Sequence, residues 1–319
     1  MLGYRHYRYG KKLNLKNKFI LVTGCDSGIG LQTVQHLAED SEVHIIAICL
    51  TDEGTKRVQA LGAVTAIKCD LKDPRSIRQA ATLALSVASA DIWAVVHCAG
   101  LVKGGFLDFQ PISNFREVME VNFFGTVALN QLLMPAVKRA QGRVVFVSSV
   151  AGLVPFAGVG PYGCSKYAIE AYAGQLKLET GLWNIHIATV NPSAMKTPMT
   201  DSYSKEFRST WEKMARADNT CDAYVNDSKD WMQEWDRGWL DRFVEANQKL
   251  NESVCEDPII VAKDIKHAIG AVHPRSRYLS GTFAKTLIHK LWCLPEAQAY
   301  KLSKALMPIY PPPTPLIYK

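Results

Sequence analysis

The chain has 319 residues, of which 48% are apolar and 21% charged, a composition that suits one large globular domain and excludes wholesale disorder. Its net charge of +7 is concentrated in residues 1–18, which hold six basic residues and no acid, so the near-neutral body argues against nucleic-acid binding. No apolar run reaches the ~18–20 residues of a membrane span, and the eight cysteines form no C-x-x-C pair, which favours free thiols over disulfides or a metal site.

Short apolar strands alternate with helices along the first two thirds of the chain. Strands that are apolar on both faces are typical of a parallel sheet covered by helices on both sides. We therefore expect a single α/β domain with a doubly wound parallel sheet of Rossmann type, and a ligand beyond the carboxyl ends of its strands. The predicted strands are Phe19–Thr23, Val43–Leu50, Val64–Cys69, Ile92–His97, Arg143–Ser148 and Ile185–Asn191, and the predicted helices are Leu31–Asp40, Ser76–Ala88, Phe115–Ala140 and Tyr162–Thr180.

The alternation stops after the sixth strand. Residues 200–255 are polar and acidic with aromatics between them, and Trp231, Trp235 and Trp239 fall four residues apart. On a helix this spacing places the three tryptophans on one face, which we interpret first as core packing and second as a lid over an apolar substrate. A seventh strand is predicted in Arg277–Gly281.

These patterns divide the chain into three parts. A basic N-terminal segment, residues 1–18, precedes the Rossmann-type domain of residues 19–282, in which residues 200–255 form the substrate lid. Residues 283–319 form an amphipathic and proline-rich tail. The basic segment and the amphipathic tail both suit peripheral contact with a membrane surface, although a solvated tail explains the basic segment equally well.

A glycine-rich turn joins the first strand to the first helix. Gly24 permits a tight turn, Gly28 lets the backbone approach a pyrophosphate, and Gly30 lets the helix pack closely against the strand. The helix N-terminus offers free N–H groups and the positive end of its dipole to phosphate groups. The strand–turn–helix setting therefore predicts a dinucleotide site formed by Thr23, Gly24, Asp26, Ser27, Gly28, Ile29 and Gly30.

The spacing Thr-Gly-x-x-x-Gly-x-Gly resembles the short-chain dehydrogenase/reductase family, and other family positions follow in order over residues 17–200. Tyr162 and Lys166 match its Tyr-x-x-x-Lys pair, Ser149 ends the fifth strand thirteen residues before that tyrosine, and Asn122 matches its asparagine. The resemblance implies that these four residues are catalytic. It also implies that the dinucleotide is contacted by Tyr162, Lys166, Thr51, Asp70, Leu71, Cys98 (usually asparagine in the family), Ala99, Gly100, Pro192 and Thr197.

The four catalytic candidates fit reversible hydride transfer between an alcohol and a nicotinamide. Tyr162 and Lys166 are four residues apart on one helix and face the same way, and a nearby ammonium lowers the pKa of a tyrosine. The resemblance implies that Tyr162 is the acid/base, that Lys166 lowers its pKa and binds the nicotinamide ribose, and that Asn122 holds a water that links this lysine to solvent. Ser149 would hydrogen-bond the reacting oxygen.

The choice between NAD and NADP depends on the end of the second strand. An acid there favours NAD, whereas a base there or just before Gly28 favours NADP. Thr51 and Ser27 occupy these positions, so neither rule is met. Asp26 and Asp52 lie nearby and would repel a 2′-phosphate, which predicts NAD and keeps NADP as the alternative.

Two finer resemblances bear on the substrate. Gly24-Cys-Asp-Ser-Gly28 and His273-Pro-Arg-Ser-Arg-Tyr278 resemble the retinol and hydroxysteroid dehydrogenase branch, whereas the spacing before Tyr162 also resembles D-3-hydroxybutyrate dehydrogenase. The apolar residues between Ser149 and Tyr162 favour a lipophilic alcohol, such as a steroid, sterol or retinoid. Hydroxybutyrate instead requires a cation for its carboxylate, which Lys103, Lys196 or a residue from 200–255 could supply.

A fold of this kind also serves as a non-catalytic dinucleotide-binding module, which is the alternative of another class. Loss of Tyr162 or Lys166 would indicate such a module, and both are present. The family resemblance implies a homo-oligomer that assembles through its long helices. We expect an intracellular protein, either cytoplasmic or peripheral on the endoplasmic reticulum membrane, and the basic N-terminal segment leaves a mitochondrial location as the alternative.

Overall fold

Seven parallel strands form one sheet in the order β3-β2-β1-β4-β5-β6-β7 in the computed structural model, which describes residues 11–39, 42–62, 64–89, 91–216 and 237–306. The predicted doubly wound fold is confirmed, and each predicted strand lies within two residues of its observed ends. The strand order reverses between β1 and β4, which leaves a crevice above the carboxyl ends of these two strands. The strands are β1 Phe19–Thr23, β2 His44–Cys49, β3 Val64–Lys68, β4 Ala94–His97, β5 Arg143–Val147, β6 His186–Pro192 and β7 Arg277–Ser280.

Helices cover both faces of this sheet. Most of them connect consecutive parallel strands, as parallel pairing requires. The helices are α1 Gly28–Ala38, α2 Asp52–Gln59, α3 Pro74–Val87, α4 Ile112–Met119, α5 Thr126–Arg139, α6 Gly160–Thr180, α7 Pro198–Arg216, α8 Arg237–Val254, α9 Ile259–Gly270, α10 His289–Cys293 and α11 Glu296–Leu306, with π-helical turns at Glu120–Gly125 and Ala284–Ile288.

Alternate residues of each strand contribute to two apolar cores. Ile20 and Val22 of β1 pack on one face with side chains of α1 and α9, whereas Leu21 packs on the other face with α3, α5 and α6. All three side chains are fully buried. Burial on both faces explains why the strands are continuously apolar rather than alternating, and it holds the carboxyl ends of the strands at one rigid edge.

The chain is helical over the predicted segment Phe115–Ala140, but the winding of the helix changes in its middle. The chain forms α4, then the π-helical turn Glu120–Gly125, and then α5. Gly125 lies against the backbone after β3, where a Cβ atom would come within 2.2 Å of the Leu71 carbonyl oxygen. This close backbone approach coincides with the wider π-helical winding, a feature frequent at functional sites.

Helix α2 was not predicted from the sequence. It begins after Thr51, whose hydroxyl accepts a hydrogen bond from the Gly54 N–H at 2.9 Å, and it buries only Gly54 and Val58. A short polar helix with one large apolar residue gives no helical periodicity, so the sequence pattern does not predict it.

The segment expected to form the lid contains α7 and α8, which meet in an aromatic cluster. Phe106 contacts Phe207, Trp239 and Phe243 with ring centroids 5.0–5.2 Å apart. Trp239 is 5% exposed, which confirms core packing for this tryptophan. Trp231 and Trp235 of the predicted stripe lie outside the described residues.

Both ends of the described chain pack against the domain. The Leu13 N–H donates to the Gly270 carbonyl at 2.6 Å, and Leu15 is buried in the core. The tail buries Ala284, Ile288 and Leu291 against the segment after β5. Within the part of the chain that the structure describes, no helix has both the length and the apolar character needed to cross a bilayer.

Candidate active site

The glycine-rich turn leaves no room for side chains where the crevice opens. Gly24 and Gly28 have φ angles of +70° and +56°, which favour glycine. A Cβ atom on Gly30 would lie 2.1 Å from the Gly24 carbonyl oxygen. The Thr23 hydroxyl accepts hydrogen bonds from the N–H groups of Cys98 and Ala99, both at 3.1 Å, and so ties the turn to the end of β4. The turn is therefore a rigid backbone loop at the point where the strand order of the sheet reverses, between β1 and β4.

Asp26 ties the same turn to the end of β2. Its carboxylate accepts hydrogen bonds from the N–H groups of Leu50 and Thr51, both at 2.8 Å, and from the Thr51 hydroxyl at 2.7 Å. The sequence predicts Asp26 to be a charge near the adenosine ribose, whereas in the structure its oxygens hold two loops together. Arg57 of α2, which no sequence motif indicates, donates from its guanidinium to the Asp26 carbonyl.

The loops after β3 and β6 complete the rim of the crevice. The Asp70 carboxylate accepts a hydrogen bond from the Lys72 N–H at 2.8 Å, and Leu71 is buried beneath the π-helical turn. Thr197, five residues beyond Pro192, lies beside the glycine turn, where a Cβ atom on Gly28 would come within 3.3 Å of its methyl group. The structure thus brings the predicted dinucleotide residues to one edge of the sheet.

Ser149, Tyr162 and Lys166 meet at the carboxyl end of β5. Ser149 follows this strand, and its hydroxyl accepts a hydrogen bond from the Ala151 N–H at 3.1 Å. Tyr162 lies in the first turn of α6 and hydrogen-bonds with the Ser149 side chain. The Lys166 ammonium, one turn further along α6, donates to the Val147 carbonyl at 2.9 Å and lies 5.4 Å from the centre of the Tyr162 ring.

The charge state of this pair differs from the prediction. Burial raises the pKa of Tyr162, and the hydrogen bond with Ser149 only partly opposes it. Burial also lowers the pKa of Lys166 to about 8. The expected lowering of the tyrosine pKa by Lys166 is absent, because desolvation dominates and the ammonium is directed at a backbone carbonyl. The site therefore holds a neutral phenol, the form that donates a proton to a carbonyl oxygen.

Asn122 lies in the π-helical turn and is 2% exposed. Its side-chain oxygen accepts from the Leu101 N–H at 2.8 Å, and its amide nitrogen donates to the Leu101 carbonyl at 3.0 Å and the Ser165 hydroxyl at 2.9 Å. A Cβ atom on Gly100 would lie 3.3 Å from the Asn122 side-chain oxygen and 3.6 Å from the Lys166 nitrogen. Asn122 thus clamps the loop after β4 beside the lysine, and its proposed water relay stays a prediction.

Cys98 replaces the asparagine that the family usually has at this position. Burial raises the pKa of its thiol to about 12, so the side chain is neutral next to Lys166. A neutral thiol at this point neither competes for the ammonium nor acts as a nucleophile. The substitution leaves the backbone of the loop in place, since the N–H of Cys98 still donates to Thr23.

An apolar cavity of about 350 Å³ opens beside the catalytic side chains. Among the described residues that line it, Lys166 is the one charged side chain. Two amides of α8, Asn247 and Asn251, also face it. Apolar lining comes from the segment after β5, from α7 and α8 and from the tail, and includes Phe156, Val159, Met199, Phe243, Leu287 and Leu291.

The two cations considered for a carboxylate substrate do not line this cavity. Lys103 instead forms ion pairs with Glu206 at 3.2 Å and Glu117 at 3.6 Å, so its positive charge is already paired with two carboxylates. Lys196 is exposed on the loop after β6. The described lining can therefore bury an apolar ligand. For a small anion it supplies no cation other than Lys166.

A family model described as short chain dehydrogenase matches residues 18–207, which is more than half of the chain. The protein belongs to this family and is an NAD(P)-dependent oxidoreductase of CH–OH groups. Within the family, the chain is 28% identical to 17-beta-hydroxysteroid dehydrogenase type 6 of Bos taurus and 28% identical to retinol dehydrogenase 5 of Homo sapiens. These alignments cover 90% and 87% of this chain, and 87% and 85% of the two relatives.

The fold has a similar counterpart among solved structures. A short-chain dehydrogenase from Streptomyces avermitilis matches with a TM-score of 0.68 at 22% identity, over 90% of this chain and 96% of that one. At this identity the likeness shows the fold alone.

Proposed function

We propose that the protein interconverts an alcohol and its carbonyl on a lipophilic molecule, a steroid, sterol or retinoid, with NAD as the cofactor. The observation that carries this proposal is the apolar cavity that opens onto Ser149, Tyr162 and Lys166. Relatives named as a hydroxysteroid dehydrogenase and a retinol dehydrogenase support the same substrate class.

The residues around the crevice fit a nicotinamide dinucleotide. Backbone without side chains at Gly24, Gly28 and Gly30 leaves space for a pyrophosphate at the N-terminus of α1. When bound, the nicotinamide supplies or accepts the hydride. Tyr162 would give its phenolic proton to a carbonyl oxygen in reduction and take it back in oxidation. Ser149 would hold that oxygen by a hydrogen bond, and Lys166 would bind the ribose next to the nicotinamide.

The preference for NAD rests on the charge at the end of β2. Asp26 and Asp52 lie at this point and disfavour a 2′-phosphate. Two cations favour NADP: Lys68 forms an ion pair with Asp52 at 2.8 Å, and the Arg57 guanidinium reaches the same loop. Both cations are held by these aspartates, Arg57 through the Asp26 carbonyl, which favours a structural role and therefore NAD.

An activity panel tests the substrate class and the cofactor together. Purified protein is mixed with NAD or NADP and with a steroid alcohol, retinol or D-3-hydroxybutyrate, and absorbance of the reduced nicotinamide is followed. We expect turnover of a lipophilic alcohol with NAD and none of hydroxybutyrate. Turnover of hydroxybutyrate alone would overturn the lipophilic assignment. Binding of NAD with no turnover of any alcohol would instead favour the non-catalytic module.

The tail carries an exposed apolar surface next to the cavity. We define this C-terminal surface by Trp292, Leu294, Tyr300 and Leu302, whose exposed fractions are 45%, 37%, 64% and 40%. It borders a groove of about 620 Å³ that shares Leu291 with the lining of the cavity. The same tail carries exposed lysines, which would attract anionic lipid: Lys285, Lys290, Lys301 and Lys304. We infer peripheral contact with a membrane through this surface, from which a lipophilic substrate would enter.

Vesicle flotation tests the membrane contact. The protein should float with vesicles that contain anionic phospholipid, and a Leu294→Ser, Tyr300→Ser double variant should bind about tenfold more weakly because less apolar area is buried. A matched control, Leu178→Ser with Leu182→Ser, removes side chains that are 79% and 92% exposed elsewhere. Equal binding by wild type and the tail variant would contradict the assignment of this surface.

A further inference from the structure

Arg277 of β7 contacts α6, the helix that carries Tyr162 and Lys166. Arg277 begins β7 and belongs to the His-Pro-Arg-Ser-Arg-Tyr segment noted in the sequence. Its guanidinium forms an ion pair with the Glu170 carboxylate at 2.7 Å, and it donates to the Asn191 side-chain oxygen at 3.0 Å. Glu170 lies on α6, four residues after Lys166, and its side chain is only 10% exposed. The ion pair therefore joins the seventh strand to the helix that carries Tyr162.

Asn191 extends this contact to the catalytic serine. Its amide nitrogen donates to the Glu170 carboxylate at 2.6 Å and to the backbone carbonyl of Ser149 at 3.1 Å. Asn191 is fully buried in β6, so it has one fixed position between the two. The chain of contacts runs without a gap from Arg277 through Glu170 and Asn191 to the residue that would orient the reacting oxygen.

We propose that Glu170 and Arg277 are a positioning pair for the active site: they hold the Ser149 backbone through Asn191 and set the charge that faces Lys166. The proposal rests on the proposed function, in which Ser149 and Lys166 serve hydride transfer. Neither member of the pair lines the substrate cavity. Their effect is therefore exerted through the residues that do line it.

The charge on Lys166 is open to this influence because the lysine is buried. Burial lowers the pKa of Lys166 to about 8, and the Glu170 carboxylate acts in the opposite direction. Arg277 in turn offsets the charge of that carboxylate. The other groups that face Lys166 are neutral or fixed: the Tyr162 ring on α6, the Cys98 thiol after β4, the Val147 carbonyl of β5 and the Asn122 amide of the π-helical turn.

Two substitutions should shift the Lys166 titration in opposite directions. Glu170→Gln removes the nearby negative charge and should lower the pKa of Lys166 further, by roughly half a unit to one unit. Arg277→Met leaves the carboxylate uncompensated and should raise that pKa by a similar amount. Arg277→Lys keeps the charge without the planar fork and should restore the titration but not the full kcat. If Glu170 and Arg277 had a purely structural role, the two substitutions would not shift the pKa of Lys166 in opposite directions.

Competitive labelling measures the titration without any substrate or cofactor. Trace acetic anhydride reacts with neutral amines, so the pH dependence of acetylation at Lys166, read by peptide mass spectrometry, gives its pKa in each variant. Glu179→Gln removes an exposed charge on the same helix and should leave the titration unchanged. Thermal unfolding of each variant checks that the fold is retained.

The pH profile of kcat, with the lipophilic alcohol that the activity panel finds to be turned over, is the second measurement. In each variant, the apparent pKa of this profile should shift in the same direction as the Lys166 pKa measured by acetylation. An unmoved Lys166 titration in both Glu170→Gln and Arg277→Met, or a shift of the same sign in both, would overturn the positioning pair. Opposite shifts of the labelled lysine with no turnover in any variant would keep the pair and reject the proposed function instead.

Discussion

Replacement of Tyr162 with phenylalanine will abolish turnover while NAD binding persists. The phenolic oxygen is the group that hydrogen-bonds with Ser149 at the base of the cavity, and phenylalanine keeps the ring but cannot move a proton. Loss of a positioned general acid/base typically costs about 10²–10⁴-fold in kcat. The glycine-rich turn lies on other elements and is not altered, so the dissociation constant for NADH, measured by fluorescence, should stay within about twofold of wild type.

The matched control makes the same chemical change five residues further along α6. Tyr167 is 44% exposed and does not line the cavity, so Tyr167→Phe should retain near-normal kcat. Turnover by Tyr162→Phe at more than a tenth of the wild-type rate would show that another group moves the proton. Equal loss in both variants would point to damage to α6 rather than to removal of the acid/base.

A methyl group at Gly30 should damage both stability and cofactor binding. The added Cβ atom would lie 2.1 Å from the Gly24 carbonyl oxygen and 3.1 Å from that of Thr23, and neither backbone atom can move without shifting the turn. Overpacking of this kind costs about 1–3 kcal/mol in the free energy of unfolding. The displaced turn should weaken NADH binding at least about tenfold, because its backbone forms the pyrophosphate cradle.

Gly174→Ala is the matched control for this change. Gly174 lies within α6, and a Cβ atom there would meet nothing within 4 Å. Alanine should therefore stabilise the helix by about 0.5–1 kcal/mol in urea unfolding and leave NADH binding unchanged. Normal stability and cofactor affinity in Gly30→Ala would contradict the close packing of α1 against β1.

The sheet was predictable because its strands are apolar on both faces. Runs such as Phe19–Thr23 and Arg143–Ser148 are too short and too β-branched to be read as helices, and their ends lie within one residue of those in the structure. The catalytic candidates were predictable from the family resemblance, because Ser149, Tyr162 and Lys166 match its motifs in order. The structure brings these side chains to one edge of the sheet, where parallel strands end together.

The parts that were missed depend on contacts between distant segments. Asp26 was interpreted from its charge, although its oxygens accept hydrogen bonds from residues at the end of β2, about two dozen positions away. The pairing of Glu170 with Arg277 spans more than a hundred residues and has no local signature. The pKa of Tyr162 was predicted from the neighbouring lysine alone, whereas desolvation by the assembled cavity dominates.

The π-helical turn should tolerate changes in the identity of its residues better than a change in their number. A π-helical turn holds one residue more than the α-helical turn it replaces, so deletion of one residue within Glu120–Gly125 would close it to an α-helix and redistribute its side chains around the helix axis. The amide of Asn122 would then point away from Leu101, and the loop after β4 would lose its clamp. Gene variants with a single-codon deletion here should therefore be null, whereas most substitutions at exposed positions of the same turn should be tolerated.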